Sequence, residues 1–224
     1  MTEEPLHATR LYAITPPKID LKTFVPQVEQ AFKGGDIGCL QLRLKDATDA
    51  EIIAACKEIA PICAAHEAAF ILNDRYDLVD LCGADGVHVG QEDLERVSLK
   101  AIRKQLGKDA VIGVTCHASR HLAMEAGEAT ADYVAFGAFY PTTSKPKEKL
   151  EKWGTPGFEL VEWWATHSIL PQVSIGGITP KNLAPLVQAG TDFVAAITGI
   201  WDHPQGAQAG VAEYNKAIAE AMQG

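Results

Sequence analysis

Short apolar runs punctuate this chain at intervals of roughly 20 to 30 residues, most of them flanked by glycine, proline or acidic turn residues. They lie at 10–15 (RLYAIT), 39–44 (CLQLRL), 69–73 (AFILN), 86–90 (GVHVG), 111–116 (VIGVTC), 133–137 (YVAFG), 171–176 (PQVSIG) and 193–198 (FVAAIT). Runs this short, rich in Val, Ile, Leu and aromatic residues, predict eight strands. Between them apolar residues fall at helical spacing, which predicts helices that include 24–33, 49–66, 98–105, 158–166, 180–189 and 211–222. Thr179 ahead of Pro180 reads as an N-cap followed by a first-turn proline. Asp85-Gly86 and Ala189-Gly190 supply the small or turn-forming residues at which a helix ends and the chain reverses.

Strand–helix alternation repeated eight times, with no linker of biased composition, indicates a parallel sheet. It fits one α/β domain over 1–224, a single (β/α)8 TIM barrel, a fold whose usual size is about 250 residues. An open, doubly wound sheet would carry a GxGxxG turn after its first strand. None follows RLYAIT.

Composition then limits the partners. Lys and Arg number 20 against 29 Asp and Glu, a net charge of −9, which argues against nucleic acid or an anionic membrane as the main partner. An anionic small molecule must therefore be held by a few local cations, backbone amides or a metal. No apolar run approaches the ~20 residues needed to cross a bilayer. The polar start MTEEPLHATR does not read as a secretory signal, so a cytoplasmic protein is expected. Cys39, Cys56, Cys63, Cys82 and Cys116 are odd in number and form no CxxC pair, which suits buried thiols in a reducing compartment.

In a barrel the chemistry belongs at the C-terminal ends of the strands. Those ends carry Gln41, Arg43 and Lys45; Asn73 and Asp74; Gln91 and Asp93; Thr115; Thr142, Thr143, Ser144 and Lys145; Gly176 and Gly177; and Thr198. Strand alternation places Gln41, Arg43 and Lys45 on one face, with Leu40, Leu42 and Leu44 under the helices on the other. Inward cations at a barrel mouth are costly without an anionic partner. Asp74 and Asp93, at the ends of adjacent strands, are hard oxygen donors of the kind that suits Mg²⁺. Taken singly, Asp74 reads equally as a cap for a helix over 75–81, and Asp93 as a surface turn residue. The hydroxyls of 142–144 beside Lys145 could receive a phosphate, as could a helix opened by Gly176-Gly177. His117 and His121 are spaced i, i+4 but lack an HExxH motif and a third ligand, so zinc is not expected; His117 is left to line the mouth.

The chain resembles the thiamine-phosphate synthase family. QLRLK at 41–45, ILND at 71–74, GADGVHVGQED at 83–93 and GVTCH at 113–117 carry the likeness. So do FGAFYPTTSK at 136–145, SIGGIT at 174–179 and AAITGI at 195–200. The resemblance implies that Gln41, Arg43, Lys45, Asn73, Thr115 and Lys145 hold a pyrimidine diphosphate, and that Asp74 and Asp93 hold Mg²⁺. It places Thr142, Ser144, Gly177, Ile197 and Thr198 around a thiazole phosphate, with Thr143 in the same loop. Departures from the commoner family pattern are Leu44 for an acidic residue on the helix-facing side, hydroxyl exchanges at Thr115, Ser144 and Thr198, and Ala138 for proline; none removes a cation or a metal ligand.

The implied reaction displaces diphosphate from a pyrimidine methylene carbon and joins that carbon to the thiazole nitrogen. Arg43, Lys45 and Lys145 would act as the catalytic cations, on a dissociative path assisted by Mg²⁺. Two rival readings are a thiazole tautomerase-like isomerase with a histidine near strand five, and a non-catalytic phosphate-binding barrel. Pairing of copies into a homo-oligomer through outer helices stays open.

Overall fold

Alternation along each strand sorts the side chains into two cores, and the barrel follows from keeping both dry. In the computed structural model, which describes residues 8–142 and 152–224, eight strands form one closed parallel sheet. They are β1 (Arg10–Ile14), β2 (Cys39–Leu42), β3 (Ala69–Asn73), β4 (Gly86–Val89), β5 (Val111–His117), β6 (Tyr133–Phe136), β7 (Gln172–Ser174) and β8 (Phe193–Ala196). Each pairs with its sequence neighbour, and β1 closes the circle against β8 with Arg10 opposite Phe193. One parity of the strands packs inside the barrel: Tyr12, Ile14, Cys39, Ile71, Tyr133, Ala135, Val173 and Ala195. The other parity, including Leu11, Leu40, Phe70, Val87, Ile112, Val134 and Val194, faces the helices in a larger core.

The helices start where their caps dictate. In α1 (Leu21–Lys33) the Asp20 side chain accepts from Lys22 N, and in α2 (Asp49–Ala65) Thr48 and Glu51 form a reciprocal capping box. A 3-10 turn (Tyr76–Leu78) leads into α3 (Val79–Cys82); α4 (Gln91–Leu94) and α5 (Leu99–Leu106) follow β4. Ser119 caps α6 (Arg120–Glu128), absent from the spacing-based set. The remainder are α7 (Phe158–His167), α8 (Ala184–Gln188), α9 (Thr198–Trp201) and α10 (Ala207–Ala221).

Two expectations need correction. The helix predicted over 180–189 begins only at Ala184, so Thr179 is not its N-cap. Asn182 instead accepts from Thr179 N at 2.7 Å and donates to Gly177 O at 3.0 Å, winding 177–182 into a turn of its own. The eighth strand stops at Ala196, and Thr198 opens a single helical turn. Apolar residues continue to Ile200, so hydropathy alone hides that boundary.

At the N-terminal end of the barrel an aspartate precedes every second strand, and ahead of β4, β6 and β8 it accepts a backbone N–H of the strand before. Asp85 accepts from Phe70 N (2.7 Å), Asp132 from Ile112 N (2.7 Å) and Asp192 from Gln172 N (2.8 Å). Asp36, ahead of β2, grips Arg10 at the start of β1 through two hydrogen bonds. The rim at this end is thus devoted to register.

Candidate active site

Strand β2 carries Gln41 into the barrel, 3% exposed, where its Nε2 donates to Asn73 Oδ1 on neighbouring β3 at 3.2 Å. Past the strand end, Arg43 N donates to the Thr15 hydroxyl (2.9 Å) and Lys45 N to Pro17 O (2.9 Å), which holds this segment against the end of β1. Leu44 packs outward against the larger core, as its parity predicts. Lys45 reaches across to Asp74, Nζ to Oδ2 2.8 Å. Asp74 adopts a left-handed backbone (φ 65°), a conformation that aspartate tolerates better than most residues, and it turns the chain sharply at the end of β3.

Asp93 lies in α4 with its Oδ2 accepting from Gly90 N at 2.9 Å. Its carboxyl also meets that of Asp74. Burial, foremost, and the Asp74 charge hold the Asp93 pKa above the ordinary carboxylate value, against smaller opposing pulls from the Gly90 N–H and then Lys45. Two carboxylates brought together at a partly buried point, with one lysine to offset them, form a donor set that fits a hard divalent cation. Asp74 thus accepts from Lys45, and Asp93 caps the start of α4 while its carboxyl faces Asp74. Beside them, burial lowers the Arg43 pKa from its usual value while Asp74 pulls it back up.

Arg43 and Lys45 line a 330 Å³ recess together with Pro16, Pro17, Ile197, Thr198, Trp201 and Asp202. Ile197 and Thr198 also line a neighbouring cavity of 540 Å³, formed with Pro141, Thr142 and the Ile175–Thr179 turn. Gly177 has φ 64°, and a Cβ there would lie 2.4 Å from Pro141 O; only glycine lets the two loops close on one another. The structure thus brings together Gln41 with Asn73, Lys45 with Asp74 and Asp93, and Thr142 with Gly177, Ile197 and Thr198. Thr143, Ser144 and Lys145 lie outside the described residues.

Thr115 projects from the end of β5, its hydroxyl 2.8 Å from His88 Nε2 and its carbonyl accepting from Gln91 Nε2 at 2.6 Å. His88 was not among the candidates. The available signal was its position: a polar residue at the inward parity of an otherwise apolar strand, like Gln41. Trp153, which by sequence reads with the other tryptophans as a packing or interface residue, stacks its indole on His117 at the end of β5 with ring centroids 4.4 Å apart.

The chain is thus a closed parallel barrel whose C-terminal rim gathers two facing carboxylates, flanking cations and a cavity closed over Gly177. Residues 11–200 match the family described as thiamine monophosphate synthase. The chain is 50% identical over 210 residues to a thiamine-phosphate synthase of Rhodospirillum centenum, covering 93% of this chain and 97% of that protein. It is 45% identical over 216 residues to another from Erythrobacter litoralis, covering 95% and 97%. A thiamine phosphate pyrophosphorylase from Pyrococcus furiosus superposes with a TM-score of 0.81 at 26% identity, covering 96% of this chain and 98% of that one. The chain belongs to the thiamine-phosphate synthase family.

Proposed function

We propose that the rim divides its work between the two halves of the family's reaction. The chain is a transferase of thiamine biosynthesis that condenses a pyrimidine diphosphate with a thiazole phosphate, giving thiamine phosphate and diphosphate. Arg43 and Lys45 hold the diphosphate, with Lys145 from the adjoining loop. Gln41, Asn73 and Thr115 receive the rest of the same substrate. Thr142, Gly177, Ile197 and Thr198, which line the 540 Å³ cavity, receive the thiazole phosphate, and the family resemblance adds Thr143 and Ser144 to the same role. Asp74 and Asp93 would hold Mg²⁺, which when bound supplies positive charge to the diphosphate oxygens.

The order of events follows from charge. The pyrimidine methylene–oxygen bond breaks with its electron pair leaving on the diphosphate, and Arg43 and Lys45 offset the growing negative charge. The electron-rich ring carries the transient methylene cation. The thiazole nitrogen lone pair then forms the C–N bond, so no strong general base is required. Cation and nucleophile are held in neighbouring recesses that share Ile197 and Thr198, and this proximity supplies the remaining advantage.

The observation that carries this reading is the meeting of Lys45, Asp74 and Asp93 at one point of the rim beside Arg43. Its test is direct. The purified protein, given both phosphorylated heterocycles and MgCl₂, releases thiamine phosphate and diphosphate in equal amounts. The Asp93→Ala protein does so at a small fraction of the rate, and undiminished turnover by that variant with Mg²⁺ would remove the metal assignment.

A further inference from the structure

The barrel interior contains a file of polar groups that ends at Thr115. Tyr12 OH lies 2.8 Å from Tyr133 OH, Tyr133 OH lies 2.9 Å from His88 Nδ1, and His88 Nε2 lies 2.8 Å from the Thr115 hydroxyl. Both tyrosines are buried, 3% and 7% exposed, and both hydroxyls are held well above their ordinary pKa, chiefly by burial, so they remain O–H groups. The file is built rather than incidental. A Cβ on Gly113 would sit 1.9 Å from the Tyr133 ring and 2.3 Å from its oxygen, so the phenol can lie across β5 only because residue 113 has no side chain.

Hydrogen-bond bookkeeping gives this file a direction. A neutral imidazole donates from one nitrogen and accepts at the other. If Nδ1 carried the proton, Nε2 would accept the Thr115 hydroxyl hydrogen, and Thr115 would face the rim as an acceptor. An anionic or acceptor-rich substrate needs the reverse. Then Nε2–H donates to Thr115, Nδ1 accepts from Tyr133, and Tyr133 accepts from Tyr12. We propose that His88 is a positioning residue whose Nε2–H tautomer, selected by the Tyr133 hydroxyl, holds Thr115 as a hydrogen donor toward the pyrimidine diphosphate. This rests on the reading of Thr115 as a residue that binds that substrate.

Single variants and their combination separate the two claims. Thr115→Val raises KM for the pyrimidine diphosphate about tenfold with kcat changed less, as the loss of one hydrogen bond to a charged substrate predicts. An unchanged KM overturns the reading of Thr115 itself. His88→Leu raises the same KM to a similar degree, and adding it to Thr115→Val costs no further, because both remove one interaction. Multiplying effects, or a His88→Leu protein with unaltered KM, overturns the positioning role while leaving Thr115 in place. His88→Gln, whose amide N–H reaches the place of Nε2–H, restores KM to within about threefold of the parent. Tyr133→Phe serves as an independent variant that keeps the ring in place. Nitrogen-15 NMR of the parent bound to the pyrimidine diphosphate shows His88 protonated at Nε2, and Tyr133→Phe shifts that population toward the other tautomer. A parent spectrum protonated at Nδ1 sinks the proposal.

Discussion

Asp93 sits where an ionised carboxylate is poorly accommodated, partly buried and facing Asp74. Its raised pKa means that the folded protein takes up this proton more readily than the unfolded chain does. The group's stabilising share is therefore present in acid and lost as pH rises through the raised value, so at neutral pH the ionised pair works against the fold. The site is partly open to solvent, so the effect is small. Without divalent cations at pH 7, Asp93→Asn is expected to raise Tm by about 1–3 °C. The difference fades as the pH falls below the ordinary carboxylate range. Millimolar MgCl₂ reverses the order, raising the parent's Tm and leaving the variant's nearly unmoved, because only the parent keeps both carboxylates. Differential scanning calorimetry at two pH values, with and without the metal, checks all three parts. Arg43 belongs to the same scale: Arg43→Ala is expected to lower kcat by about 10²–10³-fold, the usual cost of one charge-stabilising donor. Arg43→Lys recovers only part of it, since an ammonium lacks the planar fork. Steady-state kinetics with the diphosphate substrate decides.

Elements are held in register from the rim opposite the proposed site. Asp85, Asp132 and Asp192 each stand just before a strand and bond an amide of the preceding strand. Removing one such carboxylate leaves a buried strand N–H without its acceptor. Asp85→Ala is expected to cost about 1–2 kcal/mol, a fall in Tm of roughly 3–6 °C, with kcat and KM unaltered because the proposed site lies at the far rim. A thermal melt paired with steady-state kinetics tests this, and a loss of activity at full stability contradicts it. The strands themselves were legible to within two residues at most ends, because short apolar runs between helical spacings leave few alternatives. Asp85 was legible only as a turn residue, since its amide partner lies fifteen residues away. The start of α8 was misread for a related reason. Pro180 invites a helix, but the Asn182 side chain satisfies Thr179 N and Gly177 O and makes a turn more favourable. At the rim, Arg43, Lys45, Asp74 and Asp93 were legible as a charged group because strand parity and strand ends bring them to one end of the barrel, although each aspartate taken singly also reads as a cap or turn residue. His88 and Tyr133 were not, because an imidazole or a phenol in an apolar run looks the same whether it packs or bonds.

A closed barrel has no edge, so the whole molecule depends on the join between its first and last strands. β1 and β8 pair along Arg10 to Ala13, and Trp201, just after β8, donates its indole N–H to Ile14 O at 2.7 Å. Helix α10 then covers the join, packing on α1 and α9 with Val211, Tyr214 and Ile218 buried. Each such side chain contributes about 1.5–3 kcal/mol on burial, against a net stability of about 5–15 kcal/mol for an entire domain. A chain ending at Gln205 would also strip α1 of the helix it packs against. It is expected to show no cooperative thermal transition, or to be recovered insoluble, although every rim residue named here is retained. Tyr214 connects the same closure to the site, because its hydroxyl donates to Ile178 O at 2.7 Å within the turn that lines the larger cavity. Tyr214→Phe keeps the packing and removes that bond. It should lower Tm by a few degrees and raise KM for the thiazole phosphate severalfold, while KM for the pyrimidine diphosphate stays put. Equal effects on the two substrates would mean that the C-terminal helix supports the barrel as a whole and does not set the shape of one subsite.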